Sequence, residues 1–469
     1  MFVQQLYTGC LSEAAYYMES EGVAAIIDPL RDIDAYLQLA RDRKARIAYI
    51  FETHFHADFV SGHLDLSQAT GAPIIYGPHT QTQFPVHVAK DGERFKLGQV
   101  SLEVIHTPGH TLESSCYLLR DEQDQPYALF TGDTLFVGDV GRPDLSQQGS
   151  DQTMEELAGL LYESLHQKVL TLPDSVIIYP AHGAGSSCGK NLGPETYSTL
   201  GEQKKTNYAL QPQDKTAFIK AVTEGLTPPP NYFPVNARIN KEGYQSLSSV
   251  LQSGLRPLPV AEVKRLLQGE TILLDTRPAS LFTEGFVPGS IFIGLEGRFA
   301  EWAGSLLPFD KPILLVTEPG KEEESIVRLA RVGFSTIVGY LEGGYASWVS
   351  AGEPIDLIVN VEVDELAMDL PYDPNLLIVD VRRETEYANA HLQRAMNLPL
   401  HLLTDPGEIA LLEDRHNLYI HCAGGYRSVI AASLLKRQGF HNLRNILGGW
   451  QAIEQHPLPI VKGEELLNE

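Results

Sequence analysis

Thr53-His54-Phe55-His56-Ala57-Asp58-Phe59, THFHADF, follows the apolar run RIAYIFE (46–52) and sets two imidazoles and a carboxylate within five positions. Side chains of this kind at the end of a β-like run are how a rigid scaffold presents metal ligands. A second metal ion beside the first wants another donor, and position 59 offers a phenyl ring instead. The stretch is therefore either a hydrolase centre short of a ligand or a complete site for one metal.

The chain has 469 residues, too many for one ordinary core, so two to four domains are expected. Its 36 basic and 60 acidic residues leave a net charge of -24, which repels nucleic acid and anionic membrane surfaces. Neither is expected as a partner. The opening MFVQQLYTGCLSEAAYYMESEG lacks a basic stretch followed by an apolar core, and no apolar run is long enough to cross a bilayer. A cytoplasmic protein is expected. Cys10, Cys116, Cys188 and Cys422 are widely spaced without a CxxC, which argues against a disulfide framework or a structural zinc knuckle.

Residues 1–210 alternate β-rich runs (VAAIID, IAYIFE, APIIYG, SLEVIHT, YALFTG, SVIIYPA) with helical patterns such as MEELAGLLYESLHQKVL, and read as an α/β domain. The three prolines of LTPPPNYFPVN (226–236) can continue neither a helix nor a central strand, so 211–255 is read as a linker that packs on its neighbours. Beyond it lies a repeat. LLDTRPASLFTEGFVPGSI from Leu273 parallels IVDVRRETEYANAHLQRAM from Ile378, and Asp380 minus Asp275, Arg382 minus Arg277, Gly448 minus Gly343 and Pro459 minus Pro354 all equal 105. A constant offset means two copies of one domain, 256–357 and 358–469. In each, a β-rich run ends in Asp-x-Arg and a later one opens into a loop and a helix, the pattern of a small doubly wound α/β domain.

HxHxD is joined by HTPGHT with His110, FTGDTLF with Asp133 and YPAHG with His182, each just after an apolar run. In this order and spacing the motifs resemble the metallo-β-lactamase superfamily over about the first 210 residues, which implies an αββα sandwich. For the binuclear hydrolases of that superfamily, the resemblance implies one metal on His54, His56 and His110. It places another on Asp58, His182 and a histidine in the slot of Phe59, with Asp133 bridging the two. Phenylalanine ligates nothing, so a second zinc loses a nitrogen donor. What remains can be read as a facial triad, His54, His110 and Asp133, whose open positions suit one Fe2+ and oxygen activation. His56, Asp58 and His182 are then groups around the ligands or weaker metal candidates, and Zn2+ is the alternative ion.

The persulfide dioxygenase branch of the superfamily is thought to use such a triad, and VGDVGRPD (137–144) resembles its substrate loop. On that resemblance Arg142 receives an anionic group of a thiol carrier, since a guanidinium binds carboxylate or phosphate bidentately. The plainer alternative is an ion pair with Asp139 or Asp144. GAGSSCGKNLGPETYSTLGEQKKTNY (183–208) resembles the version found in bacterial fusions of this dioxygenase with rhodanese domains. Within it Cys188 is close enough to line the same mouth as a substrate-binding thiol relay, or else is an inert buried thiol.

YIHCAGGYRS (419–428) is a strand emptying into a cysteine-headed loop and then a helix. Successive N–H groups of such a loop form a cradle for a thiolate and for an anionic sulfur attached to it. Cys422 is the expected nucleophile, with Arg427 beside it and Ala423, Gly424, Gly425 and Tyr426 as the cradle. The spacing of cysteine, four residues and arginine, with Asp380, Arg382, AHLQRAMNLP and LGGW, resembles rhodanese sulfurtransferases over roughly 360–462. Related phosphatases have five intervening residues and a wider loop. At the offset of 105 the other copy carries Thr317 for Cys422 and Glu322 for Arg427. It reads as an inactive rhodanese that positions its neighbours or builds an oligomer interface.

Together these features resemble a persulfide dioxygenase–rhodanese fusion. The implied function is oxidation of a low-molecular-weight thiol persulfide, of glutathione or coenzyme A, by O2 to sulfite, followed by thiosulfate formation from sulfite and a Cys422 persulfide. Fusion raises the effective concentration of the shared sulfite in such a sulfide detoxification. A homo-oligomer, dimer or tetramer, is expected. Two rivals stand beside this reading. One is a zinc thioester hydrolase of the glyoxalase II kind, against which Phe59 argues. The other is a non-catalytic sulfur carrier or sensor in which Cys422 and Cys188 exchange sulfur.

Overall fold

Val100, Leu102 and Val104 alternate with half-buried residues along the strand Val100–His106, and their inward face packs with Tyr16, Met18, Ile27 and Phe51. That period of two marks a sheet with one face in a core. The computed structural model, which describes residues 1–145, 152–413 and 416–463, places these strands in two six-stranded sheets. One runs in the order Phe2–Thr8, Glu13–Ser20, Val23–Ile27, Arg46–Phe51, Ile74–Tyr76, His87–Val88. The other runs Ser198–Thr199, Ile177–Pro180, Pro126–Gly132, Ser115–Arg120, Val100–His106, Arg94–Leu97. Helices Asp34–Asp42 and His63–Thr70 lay Tyr36, Ala40 and Leu66 on the outer face of the first sheet. Helices Met154–Ser164 and Lys215–Thr223 lay Ala158, Leu161, Phe218 and Val222 on that of the second. The result is an αββα sandwich.

The chain divides into two units, Met1–Val250 with Val327–Ser335, and Leu251–Ile326 with Thr336–Glu469. Residues 211–255, expected as a packed linker, carry the helices Lys215–Thr223, Phe233–Glu242 and Leu247–Gly254, and as far as Val250 they belong to the first unit.

The second unit holds two five-stranded parallel sheets of identical order. They are Pro257–Leu258, Ile337–Leu341, Ile313–Val316, Ile272–Asp275, Ile291–Phe292, and Val359–Val361, Leu443–Ile446, Asn417–His421, Leu376–Asp380, Met396–Asn397. Equal order is what an equal offset requires. The Asp-x-Arg pairs repeat in detail. Arg277 Nη2 reaches Asp275 at 2.7 Å and the Gly285 carbonyl at 2.9 Å, while Arg382 Nη2 reaches Asp380 at 2.6 Å and the Ala390 carbonyl at 2.7 Å. The two guanidiniums lie 4.3 Å from the Tyr345 ring centre and 4.2 Å from that of Trp450. Both pairs are buried, and each ties the end of a strand to the segment that follows. The end of the expected last domain, 464–469, lies outside the described residues.

Candidate functional site

Asp28, just past the strand Val23–Ile27, accepts hydrogen bonds from the backbone N–H of Thr53 and from Thr53 Oγ1, both at 2.8 Å. With its proton given to Asp28, that hydroxyl accepts from His54 Nδ1 at 2.9 Å. Backbone carbonyls only accept, so the contacts of His110 Nδ1 to Arg142 O (2.9 Å) and of His182 Nδ1 to Ser12 O (3.2 Å) put those protons on Nδ1 too. All three rings then present the Nε2 lone pair. His54 and His110 direct it at Asp133 Oδ2, 3.7 and 3.4 Å away, and His182 at Asp133 Oδ1, 3.4 Å away. A neutral ring held through Nδ1 is the form in which histidine ligates metal. Burial, with the neighbouring rings, holds His54 well below its ordinary pKa and so keeps it neutral.

His56 behaves differently. Its Nε2 lies 3.0 Å from Asp28 Oδ1 and 3.6 Å from Glu52 Oε2. Burial opposes a charge there, but the carboxylates of Asp28, Glu52 and Asp58 outweigh it and push the ring up to about 10. Donor atoms of His54, His110 and Asp133 form one set within 4.8 Å; His56, Asp58 and His182 form another, with Asp58 Oδ2 3.5 Å from His182 Nε2.

The fit to a metal can be read from unsatisfied atoms. Both carboxylate oxygens of Asp133 and the Nε2 of His182 are buried without a hydrogen bond. Such atoms cost stability unless something positive lies among them. Two imidazole nitrogens and one carboxylate oxygen suit a single divalent ion with open positions. The approach is tight: Gly132, at φ +52°, stands where a Cβ would come within 2.6 Å of Thr53 Oγ1.

Other expected residues land less simply. Arg142, expected to receive an anion, is 4% exposed, and its guanidinium forks onto Asp144 at 2.7 Å through both Nε and Nη2. It also reaches the carbonyls of Ser187 at 3.3 Å and of Thr227. The structure shows the ion pair with Asp144, and the Arg142 carbonyl accepts from His110 Nδ1. Cys188 does reach the centre, its sulfur grouped with donors of Asp133 and His182 within 4.8 Å. Burial, then the charges of Asp58 and Asp133, push this thiol well above its ordinary range.

Asn240 was not singled out by its sequence. Buried in the helix Phe233–Glu242, it donates from Nδ2 to the carbonyls of His56 and Phe59, both at 2.8 Å, and accepts from the Ser61 N–H at 2.9 Å. It thus locks the ligand loop. No spacing rule links positions 56 and 240, so no local signal announces it.

In the second unit, Cys422 follows the strand Asn417–His421, and the Gly425 N–H donates to its Sγ at 3.1 Å. Gly425 sits at φ +106°, open to glycine, and begins the helix Tyr426–Arg437. Arg427 forks onto Glu386 at 2.7 and 2.8 Å. Burial works to raise the Glu386 carboxyl, but the bonds from Arg427 and the Arg383 N–H hold it below the usual carboxylate range. At the equivalent place in the other copy, Glu322 opens an acidic helix, Glu322–Ala330.

Residues 8–182 match the metallo-beta-lactamase superfamily, and residues 259–351 and 362–456 match the rhodanese-like domain. The mitochondrial persulfide dioxygenase ETHE1 of Mus musculus is 30% identical over 219 residues, 46% of this chain and 78% of that protein. A protein of Schizosaccharomyces pombe described as "Probable hydroxyacylglutathione hydrolase" is 30% identical over 183 residues, 38% of this chain and 66% of that protein. The crystal structure of a metallo-beta-lactamase from Staphylococcus aureus is 32% identical, covers 73% of this chain and 99% of its own, and superposes with a TM-score of 0.65. The chain spans about half the length, 48%, of two other curated relatives that it matches.

Proposed function

The chain belongs to the metallo-β-lactamase superfamily and carries two rhodanese-like domains behind that fold, and from this premise we propose a persulfide dioxygenase coupled to a sulfurtransferase. The substrate is the persulfide RSSH of a low-molecular-weight thiol such as glutathione or coenzyme A. With O2 and water it yields the thiol RSH and sulfite, RSSH + O2 + H2O → RSH + H2SO3. Sulfite then attacks the outer sulfur of a Cys422 persulfide. An S–S bond forms in thiosulfate as the Sγ–S bond breaks, and its electron pair stays on Cys422 as thiolate.

The observation that carries this reading is the convergence of His54 Nε2 and His110 Nε2 on Asp133 Oδ2, while His56 turns to Asp28 and Phe59 occupies the place of a further donor. A ferrous ion held by His54, His110 and Asp133 would supply oxygen activation and a seat for the terminal sulfur. The rest is the work of the chain itself. Thr53 Oγ1 and the Arg142 carbonyl keep two Nδ1 protons in place and so fix the ligand faces of His54 and His110. The ring of Phe59, which stands where a further donor would, disfavours a second cation. In the second unit the Gly425 N–H steadies the Cys422 sulfur, and the Arg427–Glu386 fork holds the start of its helix.

Anaerobically purified protein carrying about one ferrous ion per chain, the load of a single facial triad, should consume O2 with glutathione or coenzyme A persulfide and release sulfite. Iron-loaded protein that consumes none overturns the proposal. A second reading, zinc-dependent thioester hydrolysis, draws on the hydrolase relative and on the approach of Asp58 to His182. Zinc-loaded protein that cleaves a thioester without oxygen uptake decides for it.

A further inference from the structure

Cys422 lines a cavity of about 580 Å³. That is room for about twenty water molecules at roughly 30 Å³ each, and lies in the range of pockets that take organic ligands. Sulfite, with four heavy atoms, fills only a small part of it. One wall belongs to the active copy: Arg383, Glu386, Gly424, Tyr426 and Arg427. The remaining wall comes from the copy without a nucleophile: Gly297, Arg298 and Trp302.

This second wall is fastened in place. Tyr426, directly after the cysteine loop, donates its hydroxyl to the Gly294 carbonyl at 2.7 Å, and its ring meets Phe292 edge-on at 5.9 Å. The Phe292 N–H donates to Ser433 Oγ at 3.0 Å, and Lys436 pairs with Asp356 at 2.7 Å. The cavity is thus a joint product of the two copies. Its charge runs against that of the chain: three arginines line it against one carboxylate, Glu386, with Glu301 paired to Arg298, in a protein of net charge -24.

We propose that Arg298 and Trp302 of the inactive copy bind the anionic organic tail of the thiol carrier, so that the carrier's persulfide loads Cys422 directly. The inference rests on the sulfurtransferase half of the function proposed above. An indole face packs an organic chain, and a guanidinium fork takes a carboxylate or a phosphate. In the loading step the Cys422 thiolate attacks the terminal sulfur of RSSH. The Sγ–S bond forms, the RS–S bond breaks with its electron pair leaving on RS, and the proton of the terminal sulfur passes to that thiolate. The products are RSH and the Cys422 persulfide anion, with no oxidant consumed. The loss of cysteine and arginine from the middle copy leaves this role intact, because the wall lies on a different segment from its vestigial loop.

The test uses the full-length protein without oxygen, following sulfur added to the Cys422 peptide by mass spectrometry. The donors are glutathione persulfide, coenzyme A persulfide, the uncharged 2-hydroxyethyl persulfide, and thiosulfate. Arg298→Ala should raise the half-saturating concentration of an anionic carrier about tenfold, as the loss of a charge-assisted hydrogen bond does, and that of the uncharged donor less than about twofold. The carrier with the larger change tells whether the tail is recognised through carboxylate or phosphate. Arg298→Lys should recover part of the loss, and Trp302→Leu should weaken all three organic persulfides while leaving thiosulfate unchanged. Equal effects of Arg298→Ala on charged and uncharged donors, or none, overturn the proposal. Wild-type Cys422 that takes sulfur from no donor, thiosulfate included, brings down the sulfurtransferase reading itself.

Discussion

The ring of Phe59 lies against that of His56, with centroids 4.3 Å apart and planes tilted by 32°. Both are buried, and His56 Nε2 lies 3.0 Å from Asp28 Oδ1. Phe59→His would place a nitrogen donor beside Asp58 and His182. Zinc loading of that variant should rise from about one to about two ions per chain, the content of a binuclear site, while oxygen uptake with glutathione persulfide falls. Metal analysis showing unchanged stoichiometry contradicts the single-metal account.

Metal removal should loosen the first unit. The Asp133 oxygens and His182 Nε2 are buried without hydrogen-bond partners, so a bound cation stabilises the folded state that gathers them. Chelated protein should melt about 5–10 °C below protein given iron or zinc at a hundredfold excess over the dissociation constant. Calorimetry with and without chelator measures this, and coincident melting curves speak against a metal at Asp133.

Asn240→Ala removes two donors and one acceptor from buried backbone partners. A loss of about 2–4 kcal/mol is expected, with weaker metal retention because the loop carrying His54 is released. Asn240→Asp is the sharper control. It keeps the acceptor for the Ser61 N–H but lacks the donors for His56 and Phe59, so it should not rescue metal binding.

The buried Asp-x-Arg pairs should matter equally in both copies. Asp275→Asn and Asp380→Asn each leave a buried guanidinium without its counter-charge, at a cost of about 3–5 kcal/mol in denaturant titrations. Loss of sulfur transfer in Asp380→Asn without loss of stability would falsify a structural role for the pair.

The Arg427–Glu386 fork carries a pH signature. The folded Glu386 carboxyl titrates below its unfolded counterpart. Its stabilisation is therefore complete above the unfolded value of about 4.3 and is lost as pH falls through the folded one. The difference in melting temperature between wild type and Glu386→Gln should stay level from about pH 8 to about pH 6 and shrink below about pH 4.5. A gap that widens in acid points to another group.

Much of this was legible along the chain. Short β-rich runs placed the strands of the sandwich, four motifs in order placed His54, His110, Asp133 and His182 after strand ends, and a constant offset of 105 foretold two copies of one domain. Cys422, Gly425 and Arg427 are near neighbours in sequence, so a cysteine-headed loop running into a helix could be read directly. Tertiary structure alone decided what each group does there. His54 and His56 share one motif, yet burial pushes the first ring's pKa down while carboxylates push the second's up, because a hydroxyl faces the first ring and a carboxylate from position 28 faces the second. Arg142 is matched inside the fold by Asp144, and Asn240 closes the ligand loop from a helix far along the chain. Arg298 and Trp302 come to line the cavity of Cys422 through packing of one copy on the other. Protonation and pairing depend on the atom opposite a side chain, and only the folded chain brings that atom there.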